Sequence, residues 1–187
     1  MRINEIFYSI QGEGLHTGKA AVFVRFAGCN LRCPFCDTDF GSFTEMTEED
    51  IVRQVLRYPA PTVILTGGEP TLQLTSSLLH LLHQNGRSVH IETNGTHPLP
   101  DGPISWVTCS PKDAPLHIQH IDELKVVFQG QDMAPYEDIH AKVYSLQPCD
   151  TGDKKKNDDL LQLTINYILQ HPKWQLSLQT HKIINVK

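Results

Sequence analysis

Nowhere does the 187-residue chain approach the roughly 18 consecutive apolar residues that a membrane-crossing helix needs. Its opening, MRINEIFYSIQGEG, carries acids and glycines where a secretory leader keeps an uninterrupted apolar run, so no leader is expected. No repeat and no low-complexity linker stands out. The polar stretch DTGDKKKNDD at 150–159 reads as a loop rather than a boundary, which predicts a single domain over 1–187. An excess of basic charge is lacking too. Sixteen Lys and Arg against twenty-one Asp and Glu leave a net charge of -5, which argues against a nucleic-acid partner. Cysteine is sparse and odd in number, five in all, yet three fall within eight residues. That excludes a secreted disulfide framework and points to a reduced, cytoplasmic compartment with a metal or redox site. What remains is 40% hydrophobic and 20% charged, enough to bury a real core.

Short β-rich runs alternate with helical ones. Residues 21–27, 62–66, 88–93, 104–109, 123–128, 142–146 and 174–180 read as strands. In the last, Trp174, Leu176 and Leu178 alternate with Gln175, Ser177 and Gln179, giving it one apolar face. Residues 47–58 read as a helix with Thr47 as cap, Asp50 completing a capping box and Pro59 ending it. Its apolar side is Ile51, Val52, Val55 and Leu56. A leucine-rich helix follows over 71–85, stopped by Asn85-Gly86. A third over about 158–171 sets Leu161, Ile165, Ile168 and Leu169 on one side. Strand–helix alternation predicts a parallel α/β sheet. Three helices for six or seven strands, in a chain short of the roughly 250 residues of an eightfold barrel, predict an incomplete, flattened (β/α) barrel of about six parallel strands. Some connections must then run bare from strand to strand.

The strongest chemical signal is Cys29-Asn-Leu-Arg-Cys33-Pro-Phe-Cys36. Three thiolates this close can surround one metal centre, but three are too few for a closed zinc site. A 4Fe–4S cubane normally takes four thiolates, so three leave one iron open to a ligand. A zinc loop completed by Cys109, Cys149 or a histidine, or plain buried cysteines, stand as alternatives. Thr66-Gly67-Gly68-Glu69-Pro70 follows the strand TVIL, where glycines admit a ligand close to backbone; an ordinary tight turn is the simpler reading. Polar residues gather at the C-terminal end of nearly every strand: 29–36, 67–68, Glu92 to Asn94, Ser110 to Lys112, Gln147 to Asp150, and His181. Barrel active sites assemble at that edge.

These motifs together resemble the radical S-adenosylmethionine enzymes. The segments SIQGEG, RFAGCNL, CDT, TGGEP, IETNGT, SPK, QP and QTHK resemble, more narrowly, the 7-carboxy-7-deazaguanine synthases. The cysteine run is shared by the whole superfamily; QGEG at one end with QTHK at the other is much more specific.

The resemblance implies that Cys29, Cys33 and Cys36 hold a 4Fe–4S cluster whose open iron chelates S-adenosylmethionine. It implies cofactor contacts at Gly68, Ser110, Pro111, Lys112, Gln147, Pro148, Cys149 and Asp150, with Glu92 and Asn94 positioning cofactor or substrate. It implies 6-carboxy-5,6,7,8-tetrahydropterin as substrate, touched by Ile10, Gln11, Gly12, Glu13, Arg25, Thr66 and His181, and Thr38 as a ligand to Mg2+. Arg25 suits a carboxylate, since a guanidinium forms paired, directional bonds; a surface ion pair is its commoner fate. Threonine is a hard oxygen donor of the kind magnesium takes. The resemblance further implies a flavodoxin-like or ferredoxin-like reductant and a homodimer. A glycyl-radical-enzyme activase shares the cysteine spacing, and a zinc or iron–sulfur regulator is the non-catalytic alternative. Cys109 is expected to be a small buried residue.

Overall fold

A computed structural model describes residues 1–36, 41–112 and 114–187. Thr38, the expected magnesium ligand, lies outside them. Among the described residues one nine-stranded sheet runs through the chain. Its strands are β1 (Arg2–Ile10), β2 (Ala20–Phe26), β3 (Thr44–Glu45), β4 (Thr62–Gly67), β5 (Ser88–Thr93), β6 (Trp106–Cys109), β7 (Glu123–Phe128), β8 (Val143–Pro148) and β9 (Trp174–Leu176). The helices are α1 (Glu48–Val55), α2 (Ser76–Gln84), α3 (Lys154–Gln170) and the single turn α4 (Thr180–Ile183).

The order is β3-β1-β2-β4-β5-β6-β7-β8-β9. From β2 onward each neighbour is parallel, seven strands in all, while β1 and β3 add an antiparallel edge. This is the incomplete barrel expected. The connections β5–β6 and β6–β7 carry no helix among the described residues. The second of them lays Leu116 and Ile118 over Cys109 and its neighbours, doing a helix's work of covering the sheet.

The parallel strands divide their side chains by face, as period two requires. Val22, Val24, Val63, Leu65, Val89 and Ile91 are buried with Ile51, Val55, Leu78 and Leu82 of the first two helices. Leu124, Val126, Leu146 and Trp174 form a second cluster, packed by Tyr167 and Ile168 of α3. The opposite face carries Arg25, Thr66, Glu92, Thr108, Lys125 and Gln147, which line one cavity. The sheet curls round that cavity far enough for its two ends to meet. Thr180 N donates to Gly12 O at 2.9 Å, and Gly14 N to Ser177 Oγ at 2.9 Å.

The helix over 47–58 is present with its capping box: Asp50 N donates to Thr47 Oγ1 at 3.1 Å. Its Leu56 is exposed and belongs to the cap, not the apolar side. The helix expected over 71–85 is split. Glu69 caps a 3-10 turn, Pro70–Leu72, and Thr75 then caps α2, so two caps in succession break what leucine spacing alone makes continuous. The third helix starts at Lys154 rather than 158, because Asp153 accepts from Lys156 N at 3.1 Å and caps a solvent-facing turn with no apolar signal. Its side is different too. Thr164 is buried and Leu169 is 76% exposed. The strand expected over 174–180 stops at Leu176. Ser177 turns inward to donate to Gln147 Oε1 at 2.9 Å, so Leu176 is exposed and Ser177 buried. His181 therefore sits on α4 rather than at a strand end.

Candidate active site

The cysteine loop leaves β2 through Gly28, whose φ of +92° is a left-handed conformation that favours glycine. Cys29 and Cys33 are half-buried and Cys36 is exposed. Leu31 N points at Cys29 Sγ at 3.4 Å, and the Asn94 side-chain amide approaches the same sulfur at 3.9 Å. Burial pushes the Cys29 thiol above its ordinary value, and Glu69 and the two neighbouring thiols push it further.

Backbone hydrogen bonds fasten the loop to the TGGEP turn. Gly68 N donates to Phe26 O at 2.9 Å and Glu69 N to Gly28 O at 3.0 Å. Glu69 is wholly buried. Its Oε1 accepts from the Thr71 and Thr93 hydroxyls, each at 2.7 Å, and its Oε2 from Asn94 N at 2.7 Å. It joins three strand-end segments and does not line the cavity they border.

One cavity of about 780 Å³ collects these elements. Cys29, Cys33, Cys36, Gly68, Asn94, Ser110, Lys112, Gln147, Pro148, Cys149 and Asp150 line it, and so do Ile10, Gln11, Gly12, Glu13, Arg25, Thr66, Glu92 and His181. Pro111 is buried beside it without lining it. Cys109 is buried in the core on the helix side, where its thiol is pushed up to about 12, chiefly by burial.

A polar network sets the walls. Glu92 accepts from Gln11 Nε2 at 2.7 Å and from the Thr66 hydroxyl at 2.8 Å. Arg25 Nε pairs with Glu5 Oε1 at 3.0 Å, and its guanidinium lies 5.7 Å from the centre of the Phe7 ring. Phe7 stacks on Phe23 with centroids 4.9 Å apart. The Lys187 ammonium takes the other Glu5 oxygen. Lys112 donates to Ser110 Oγ at 3.1 Å; burial, with the nearby Lys125, lowers its ammonium from the ordinary range. Lys182 pairs with Asp150 at 2.7 Å, holding that carboxyl well below the usual carboxylate range.

Glu5, Phe7, Thr108, Lys125 and Gln179 also line the cavity, at positions that the strand-end pattern does not reach. The signal for Lys125 was in the sequence. A parallel strand buried on both faces reads apolar throughout, yet ELKVVF places charges at Glu123 and Lys125 in alternate positions.

The donor set fits an open-iron cluster: three thiols of one loop, Cys29, Cys33 and Cys36, line the cavity together with the strand-end residues.

Residues 23–146 match the model of the Radical SAM superfamily. The chain is 53% identical over 187 residues to the 7-carboxy-7-deazaguanine synthase of Bacteroides thetaiotaomicron, covering 100% of this chain and 98% of that one. It is 41% identical to the same-named protein of Nitratidesulfovibrio vulgaris, covering 99% and 98%. The crystal structure of QueE from Escherichia coli superposes with a TM-score of 0.80 at 30% identity, covering 96% of this chain and 94% of that one. On these matches, the chain belongs to the 7-carboxy-7-deazaguanine synthase family of radical S-adenosylmethionine enzymes.

Proposed function

We propose that this chain converts 6-carboxy-5,6,7,8-tetrahydropterin to 7-carboxy-7-deazaguanine with release of ammonia, a ring contraction on the route to queuosine. The observation that carries the proposal is the sharing of one cavity by the three-thiol loop and by Gln11, Glu13, Arg25, Glu92 and His181. When bound, the 4Fe–4S cluster and S-adenosylmethionine supply the electron and the hydrogen-abstracting radical.

The chain's own residues divide the remaining work. Cys29, Cys33 and Cys36 hold the cluster. Gly68, Asn94, Ser110, Lys112 and Gln147 to Asp150 seat the cofactor along the strand ends, while Pro111 lies behind them. Arg25 takes the substrate carboxylate: it lines the cavity, and Glu5 holds its Nε. Gln11 and Glu13 read the amide and amine edges of the pterin. Thr66 touches the substrate beside them, and Glu92 accepts from both Gln11 and Thr66. Gly12 lets His181 close over this edge, since a methyl group there would meet His181 Nδ1 at 2.2 Å. Thr38 contributes a hydroxyl to Mg2+.

The reductant is a flavodoxin-like or ferredoxin-like protein, and the enzyme works as a homodimer in the cytoplasm. Among the described residues no helix is long and apolar enough to cross a membrane. The activase reading is not favoured, because full-length relatives carry the synthase name. The regulator reading is not favoured for the same reason.

The test is anaerobic reconstitution with iron and sulfide, followed by addition of S-adenosylmethionine, Mg2+, reductant and the carboxytetrahydropterin. About four iron and four sulfide per chain, with 7-carboxy-7-deazaguanine formed, supports the proposal. One zinc per chain and no product overturns it.

A further inference from the structure

Lys125 stands in the middle of β7 with its side chain on the cavity face, only 8% exposed. An ammonium so placed needs a partner, since an unpaired buried charge is strongly destabilising. Its partner is Glu13, on the loop that follows β1: Lys125 Nζ lies 2.5 Å from Glu13 Oε2. Gln179 Nε2 donates to the other oxygen, Oε1, at 3.0 Å. Each carboxylate oxygen is thus held by one donor, one from mid-sheet and one from near the end of the chain. A carboxylate accepts at about four positions, so lone pairs remain on both oxygens for a ligand.

We infer that Lys125 is a positioning residue that fixes Glu13 in place as a carboxylate, so that the cavity selects a substrate edge made of N–H donors. The inference rests on the pterin reading above and adds to it a charge-setting residue. A protonated Glu13 would present a hydroxyl donor and repel the donor edge it is meant to read. Burial alone would raise the Glu13 carboxyl, but the Lys125 ammonium and hydrogen bond bring it down to about 2, with Gln179 and His181 adding to the effect. Other charged groups also face the pair. Lys112, from the loop after β6, and His181, from α4, favour the Glu13 anion; Glu92 of β5 and Glu123 of β7 favour the Lys125 cation. Among the described residues only Lys125 pairs with the carboxylate as a charged partner.

The sign follows directly. With Lys125 present, Glu13 stays ionised from pH 5 to 8 and ligand binding is flat. With the charge removed, burial is unopposed and Glu13 takes up a proton as pH falls. Binding of a donor edge is then progressively lost toward acid.

The experiment uses 6-carboxypterin as the probe and the reconstituted enzyme. Its dissociation constant is measured by pterin fluorescence from pH 5 to 8. The proteins are the wild type, Lys125→Met, Lys125→Gln, Lys125→Arg and the double variant Glu13→Gln/Lys125→Met. Lys125→Gln keeps a donor against Oε2 and removes only the charge. We expect a flat wild-type profile. Both neutral variants should bind about 10–100-fold more weakly at pH 5 and recover as pH rises. Lys125→Arg should restore a flat profile, and the double variant should be weak and flat. Infrared spectra of the ligand-free proteins give a second reading: a protonated-carboxyl band in the neutral single variants, absent from the wild type and the double variant. A stably folded Lys125→Gln protein with a wild-type pH profile and no such band overturns the inference. The band without pterin binding by the wild type upholds the role of Lys125 and overturns the substrate reading instead.

Discussion

Gly68 lies so close to Gly28 that a Cβ added to it would sit 1.9 Å from the Gly28 carbonyl oxygen. This contact sets the distance between the TGGEP turn and the cysteine loop, and neither backbone can retreat without breaking the Phe26 and Gly28 hydrogen bonds that join them. Gly68→Ala should destabilise the fold by about 1–3 kcal/mol, the usual cost of overpacking. It should also lower iron uptake on reconstitution. Thermal melting and iron analysis check both. Normal iron content in this variant would show that the junction does not shape the thiol loop.

Replacing Cys29, Cys33 or Cys36 singly with Ala should abolish iron retention and turnover, because the loop has no spare thiolate. Cys109→Ala and Cys149→Ala should keep the iron. Cys109 is turned into the core behind the sheet and does not line the cavity. Iron analysis of the five variants decides the ligand set: a Cys33 variant that kept its iron while a Cys149 variant lost it would reassign the site.

Below the cavity, His90 packs against His16 with centroids 4.7 Å apart, and His16 against Trp106 at 4.8 Å. Burial, then the nearby His16 and Lys19, lowers His90 from 6.5 to about 4. Its folded value lies below the unfolded one, so neutral His90 stabilises the fold above about pH 6.5. That stability is lost as pH falls from 6.5 toward 4. Melting temperature should therefore drop between pH 7 and 5, and His90→Gln should flatten that drop. An unchanged slope in the variant would place the acid sensitivity elsewhere.

Magnesium should stimulate turnover, and Thr38→Ala should weaken the response, since a hydroxyl donor is replaced by a methyl group. Initial rates in chelator and in excess magnesium measure this. Equal rates for the unaltered enzyme would remove magnesium from the scheme.

Much of the architecture was legible because burial writes itself into alternation. Val22, Val24, Val63, Leu65, Val89 and Ile91 announce strands packed under helices, and Thr47 with Asp50 announces a helix start. β1 is hidden from a reading by alternation. Its alternation is blurred by the run Ile6-Phe7-Tyr8 and by a bulge between Ile3 and Glu5, and its pairing with β2 is antiparallel where the rest of the sheet is parallel. The far end of the chain misled for the opposite reason. Trp174 to Gln179 alternates cleanly, but Ser177 is drawn inward by Gln147 and Gly14, a long-range bond that no local pattern contains. In the site, residues at strand ends were found because loops at one edge must face each other. Residues on the inner face, Glu5 and Lys125 above all, were missed because their partners lie 20 and 112 positions away.

The central claim is a division of one cavity into a cofactor side along the strand ends and a substrate side built by Gln11, Arg25 and His181. The most direct test measures S-adenosylmethionine cleavage without substrate and pterin turnover with it, side by side, in Gln11→Ala, Arg25→Ala and His181→Ala proteins of full iron content. A lost charge-assisted hydrogen bond is worth about 1.5–3 kcal/mol, so Arg25→Ala should raise the half-saturating pterin concentration about ten- to a hundredfold. Slow cofactor cleavage should persist in all three. A parallel collapse of both activities with iron intact would contradict the division and assign these residues to the cofactor.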